Sequence, residues 1–129
     1  MAPETMEPEE IRAQITALRK QADADLAAFE PPADPPATDQ AMGYLRDGAG
    51  QAIWLYVEAR VDNFVEIPPE EFEALESAMN DWLELYARCY GVDLTAEFTI
   101  RKAAELLLET HNIKHTAEML THVPPRSER

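Results

Sequence analysis

The side chains best suited to chemistry lie toward the C-terminal end of the chain. His111, His115 and His122 are its three histidines. With Glu118 they fall at i, i+4, i+7 and i+11, a spacing that lines one helical face. Two imidazoles one turn apart can chelate zinc, and a carboxylate or a third imidazole can complete a tetrahedral set. Two features favour a plain solvated face instead. Asn112 reads as a break that takes His111 out of register, and the opposite line, Ile113, Ala117 and Leu120, is the apolar one that should turn inward. The four residues are weak metal candidates, and neither a metal nor another cofactor is expected.

Other reactive side chains are sparse. Cys89 is the single cysteine, which excludes an internal disulfide and a multi-cysteine zinc site. It sits in a helical pattern with Tyr86, Ala87 and Tyr90 and reads as a buried small hydrophobe. Serine occurs only as Ser77 and Ser127, and no glutamate–x–x–histidine pair is present for a metal-carboxylate bundle. Gly43, Gly48 and Gly50 are not followed by the lysine–serine/threonine pair of a phosphate loop. The many glutamates read as solvated helix faces. No catalytic residue is assigned, and the expectation is a non-enzyme.

A second constellation could contact DNA. Residues 98–120 read as two short helices around a turn at residues 109–112, with Thr99 as a cap before the run Ile100-Arg101-Lys102-Ala103-Ala104. This segment resembles the opening helices of excisionase-like and other helix-turn-helix regulators, and the resemblance implies a DNA-binding regulator working through Arg101, Lys102, Lys114 and His115. The turn departs from the pattern because it lacks the usual glycine, and its second helix has no arginine for base edges. A helical hairpin that closes the core is the competing reading.

Charge sets the environment for both. The chain carries 25 acidic and 11 basic residues, net −14, with a pI near 4.4. Lysine appears only as Lys20, Lys102 and Lys114. An acidic, lysine-poor, alanine-rich composition resembles that of cytosolic proteins from salt-accumulating halophilic archaea, which implies a high-salt cytoplasm. The same charge disfavours non-specific binding to nucleic acid or anionic membranes. The imbalance is uneven: residues 1–98 hold 21 acids and 6 bases, whereas residues 99–129 hold 4 and 5.

The elements that must position these residues are mainly helical. Pro8-Glu9-Glu10 opens an amphipathic helix reaching Phe29, with a thin stripe of Ile11, Ile15, Leu18, Ala22 and Leu26. The prolines of residues 31–36 then form a semi-rigid linker. Thr38 or Asp39 caps a short helix with Met42, Leu45 and Ala49, ended by Asp47-Gly48-Ala49-Gly50. Residues 53–67 satisfy either a helical face or a strand alternation. Their β-branched and aromatic content points to a β-hairpin turning at Asp62-Asn63.

Pro68-Pro69-Glu70-Glu71 opens the clearest helix. Phe72, Leu75, Met79, Trp82, Leu83, Tyr86 and Tyr90 mark its core face, and Gly91 closes it. Another helix starts after Leu94 or at Thr99, and Asn112 caps a last one ending near Leu120. The longest apolar run, residues 52–57, is far short of the roughly 20 residues that span a bilayer. With an acidic start unlike a signal peptide, the expectation is a cytoplasmic chain without a membrane partner.

The predicted organisation is therefore a mainly α domain with one small hairpin. It comprises an N-terminal amphipathic helix (1–30), a proline-rich linker (31–37), a compact body (38–123) and a polar tail (124–129). The function expected is a non-enzymatic interaction or regulatory domain, self-associating through Ile11, Ile15, Leu18 and Leu26 or binding another protein. DNA binding is the alternative.

Overall fold

A long helix carrying most of the large core side chains runs through the centre of the molecule. The computed structural model describes residues 7–62 and 64–124, without the side chain of Asp62. Asn63 in the expected turn, and the expected tail from residue 125 onward, lie outside the described residues. The helices are α1 (Pro8–Ala28), α2 (Thr38–Tyr44), α3 (Gly50–Val57), α4 (Pro69–Cys89), α5 (Ile100–Thr110) and α6 (Ile113–Thr121). Wide π-type turns at Leu45–Ala49 and Glu58–Asp62 follow α2 and α3.

The central helix, α4, forms where its sequence signals place it. Proline occupies its first position and Glu70 and Glu71 its first turn, where the positive end of the helix dipole favours carboxylates. Gly91, at φ +78°, supplies the left-handed residue beyond its end. Leu75, Met79, Trp82, Leu83 and Tyr86 are buried, while Phe72 and Tyr90 are partly buried at either end of the stripe. Trp82 is fully inaccessible, and its Nε1 donates to Asp25 Oδ2 at 2.8 Å. A bulky aromatic that also satisfies its polar atom fixes both the depth and the rotation of the helix.

That tryptophan explains the glycine-rich stretch. Residues 47–50 do not end the second helix; the chain passes through the π-type turn directly into α3. A Cβ on Gly48 would lie 2.5 Å from Trp82 Cδ2. The indole therefore stacks against bare backbone, and the glycine is a close-packing device, not a break. The start of this segment also differs from expectation. Ala37 holds the N-cap position of α2 and makes no side-chain cap bond, so neither Thr38 nor Asp39 caps it.

The hairpin expected over residues 53–67 is not formed. Residues 53–57 belong to α3, and no strand occurs among the described residues. Ala52, Ile53, Leu55, Val57 and Ala59 are all buried while Trp54 is exposed. A helix covered on several sides buries an arc wide enough to include residues two apart, and so imitates strand alternation. The second half, residues 64–67, has no regular secondary structure, and the Val65 amide donates to Ala59 O at 2.6 Å.

The alternation of a strand occurs instead at residues 92–99. Val92, Leu94, Ala96, Phe98 and Ile100 face inward, and the residues between them face water. Three side chains one turn apart on α4 receive alternate amides of this strap. Glu84 accepts from Ala96 N, Asn80 Oδ1 from Phe98 N and Glu76 from Ile100 N, each at 2.9 Å. Asn80 Nδ2 returns a bond to Phe98 O at 2.9 Å. The spacing matches because four helical residues rise about 6.0 Å and two extended residues about 6.6 Å. Glu76 and Glu84 are thus partners of buried backbone, not the solvated face expected of the glutamates.

The first helix packs parallel to α4. Arg12 Nε meets Glu71 Oε1 at 2.9 Å, and Arg19 reaches Ser77 Oγ and Asp23 Oδ1, each at 2.7 Å, and also Asp81. Burial works against the Arg19 charge, but Asp81 and Asp23 outweigh it and hold the guanidinium's pKa above its ordinary value. Ile11, Ile15 and Ala22 are buried, with Leu18 and Leu26 packed beside them. The N-terminal helix thus packs directly on the central helix of the body. An apolar stripe too thin to be stable in water is covered by α4 from within the chain.

Candidate interaction face on α3, α5 and α6

One side of the molecule is built by α3, α5 and α6, with α5 packed on both of the others. Local caps fix the α5–α6 pair. Thr99 Oγ1 accepts from Lys102 N at 3.2 Å, and Asn112 Oδ1 accepts from His115 N at 2.9 Å, which settles both helix starts. The turn between them contains only His111 and Asn112. His111 takes the left-handed conformation, φ 55°, that a glycine usually supplies.

The same ending recurs one helix later. His122 follows Thr121 at φ 59°, as His111 follows Thr110. In both cases the threonine hydroxyl accepts the amide two residues on, Asn112 N at 3.2 Å and Val123 N at 3.1 Å. Tyr86 then donates its hydroxyl to Val123 O at 2.6 Å and ties the end of α6 to α4.

This geometry puts the expected metal candidates in different settings. His111 and His122 lie beyond the ends of their helices, His115 is exposed on α6, and Glu118 is buried with Lys114 Nζ at 3.0 Å. Among the described residues no three histidine, cysteine, aspartate or glutamate side chains form a metal-binding group. Cys89 is buried, and desolvation pushes its thiol up to about 11. Ser77 is a structural contact, accepting from Arg19 and donating to Ala74 O at 3.1 Å.

The four DNA-contact candidates do share the α5–α6 pair. Arg101 pairs with Glu105 at 3.7 Å and Lys114 with Glu118, while Lys102 and His115 are exposed. Over residues 100–121, Arg101, Lys102 and Lys114 stand against Glu105, Glu109 and Glu118, so the pair has no net charge apart from its histidines. Nor does it present a basic footprint. The charges of α5 run against its dipole: cations occupy the first turn and carboxylates follow, with no basic residue in the last turn. Both α1 and α4 instead carry acids in the first turn.

What the surface offers is exposed apolar side chains, which the sequence reading did not assign. The large hydrophobic side chains exposed among the described residues are Trp54 on α3, Val61 and Phe64 after it, Leu108 on α5 and Met119 on α6. Phe64 is 87% exposed and has φ 55°, an uncommon backbone state for an aromatic residue. Periodicity marks such residues as apolar but cannot show which side of a three-helix layer remains uncovered.

The fold defines a class, a helical domain organised around one central helix with an uncovered neutral face. Residues 9–125 match a family described as a domain of unknown function (DUF8055), and the chain belongs to that family. No curated protein and no solved structure matches it. None of the described helices is long and apolar enough to cross a membrane.

Proposed function

We propose that the protein is a non-enzymatic interaction domain that docks through the face built by α3, α5 and α6, in a high-salt cytoplasm. The observation that carries this reading is that α5 and the two helices packed on it, α3 and α6, each leave a large apolar side chain exposed (Leu108, Trp54 and Met119), while α5–α6 is free of the net negative charge found elsewhere. Apolar exposure within a highly charged surface is a common mark of a docking site. The stripe of Ile11, Ile15, Leu18 and Leu26 does not support such a role, because α4 already covers it.

The test is site-directed photo-crosslinking in the native cell. A photoreactive residue replaces Met119 or Trp54 in one set of proteins and Gln14, exposed on α1, in another. Discrete adducts at the first two positions and none at Gln14 are expected. Absence of adducts at all three, or equal adducts at all three, contradicts the reading.

The capped α5–α6 pair with its short turn is the one observation favouring a second reading, a DNA-binding regulator using Arg101, Lys102, Lys114 and His115. Neutral charge on the pair and the Lys114–Glu118 contact weigh against it. Under that reading Lys114→Glu abolishes binding to a selected DNA without unfolding the protein; failure to enrich any DNA removes it.

A further inference from the structure

We propose that the occupant of this face is a second copy of the chain, docked about a two-fold axis with the two α5 helices antiparallel. The proposal rests on the interaction reading and names its partner. The charge pattern of α5 argues for it. Arg101 and Lys102 begin the helix, while Glu105 and Glu109 lie one and two turns later on the exposed side, with Leu108 beside them. A helix ordinarily places its acids first and its cations last, and this one does the reverse. Within the chain, Glu76 from α4 supplies a carboxylate to the N-terminus of α5 at Ile100 N. Lys102 and Glu109 enter no ion pair among the described residues, and the Arg101–Glu105 pair is exposed and long at 3.7 Å.

An antiparallel copy answers that pattern. It places Lys102 of each α5 beside Glu109 of the other and opposes the two helix dipoles, while Glu105, which this register brings near the two-fold axis, keeps Arg101 of its own helix as partner; the surface can thus meet a copy of itself, as a two-fold interface requires. Long-range electrostatics select the same side. Each copy carries −14, and 21 of its 25 carboxylates precede residue 99. The approach of two copies by the α1 and α4 first turns sets Glu9, Glu10, Glu70 and Glu71 against like charges. Approach by α5–α6 brings together two neutral surfaces, with Leu108 and Met119 supplying apolar contact.

Sedimentation of the full chain in a salt series from 0.1 to 1 M tests this, with circular dichroism confirming the fold of each variant. The wild type is expected to form a dimer more tightly as salt screens the repulsion between the acidic bodies. Lys102→Glu and Glu109→Lys, taken singly, are each expected to weaken dimerisation about tenfold or more. Combined, they restore it, because the reversed pattern is again self-complementary. Leu108→Glu with Met119→Glu is expected to give a monomer, and Gln14→Glu to leave the dimer unchanged. A wild type monomeric at every salt and at millimolar concentration overturns the proposal, as does a dimer indifferent to the α5 variants or a double variant no tighter than the singles. Crosslinks from Met119 to a different protein with no self-adduct overturn the choice of partner and leave the interaction reading standing.

Discussion

Replacing Asn80 with alanine should cost far more stability than a mid-helix polar residue usually does. Asn80 is 9% exposed, and both ends of its amide serve one residue of the strap, accepting from Phe98 N and donating to Phe98 O. Truncation leaves two part-buried backbone groups without these partners, at about 1–3 kcal/mol each where water cannot enter. Partial hydration of the strap makes a total of roughly 2–4 kcal/mol reasonable. For a chain of 129 residues this corresponds to a fall in Tm of roughly 6–15 °C.

The neighbouring rungs behave differently. Glu76→Gln and Glu84→Gln each retain an acceptor oxygen for Ile100 N and Ala96 N, and should cost less than about 1 kcal/mol. Urea unfolding of the three variants measures the contrast. Hydrogen exchange in the wild type gives an independent reading: amides of Ala96, Phe98 and Ile100 should be protected, and those of Thr95, Glu97 and Thr99 fast. If Asn80→Ala loses under 0.5 kcal/mol, the threshold for an ordinary surface change, or if exchange shows no alternation, the ladder does not hold the strap.

Gly48→Ala sets a Cβ 2.5 Å from the Trp82 ring; overpacking of this kind should cost about 1–3 kcal/mol, and unchanged unfolding would contradict the close approach. Trp54→Phe isolates Trp82, whose emission should be blue-shifted and resist acrylamide quenching, whereas Trp82→Phe leaves a quenchable Trp54. The Cys89 thiol should not react with a disulfide reagent at pH 8 until the protein unfolds. Its folded pKa is raised from 9.0 to about 11, so the thiol's contribution to stability is fully present below pH 9 and is lost as pH rises toward 11. Cys89→Ala should flatten that part of the stability–pH curve; an identical curve would show that the thiol is not desolvated.

Legibility in the sequence followed the length over which one physical rule acts undisturbed. The 21 residues of α4 and the caps at Thr99 and Asn112 are local events, determined by periodicity and by one side chain reaching one amide, and they stand where their residues predict. The failures share a non-local cause. Residues 53–57 look strand-like because α3 is covered on several sides. Residues 47–50 look like a terminator because only the tertiary structure places Trp82 on Gly48. The strap was legible in principle, since Val92, Leu94, Ala96, Phe98 and Ile100 alternate cleanly, as do Glu76, Asn80 and Glu84 at four-residue intervals. No local rule indicates that these two patterns meet. The interaction face was hardest to read, because Leu108 and Met119 share helices with buried apolar residues, and only the assembled layer separates covered from uncovered.

The central claim concerns which side of the molecule meets a partner, and backbone amide NMR on uniformly labelled protein tests it directly. Spectra recorded from micromolar to millimolar concentration in 1 M salt should show shifts confined to α5, α6 and the neighbourhood of Trp54 on α3, with none along α1. Shifts centred on α1, or spectra identical across the whole range, would contradict the account.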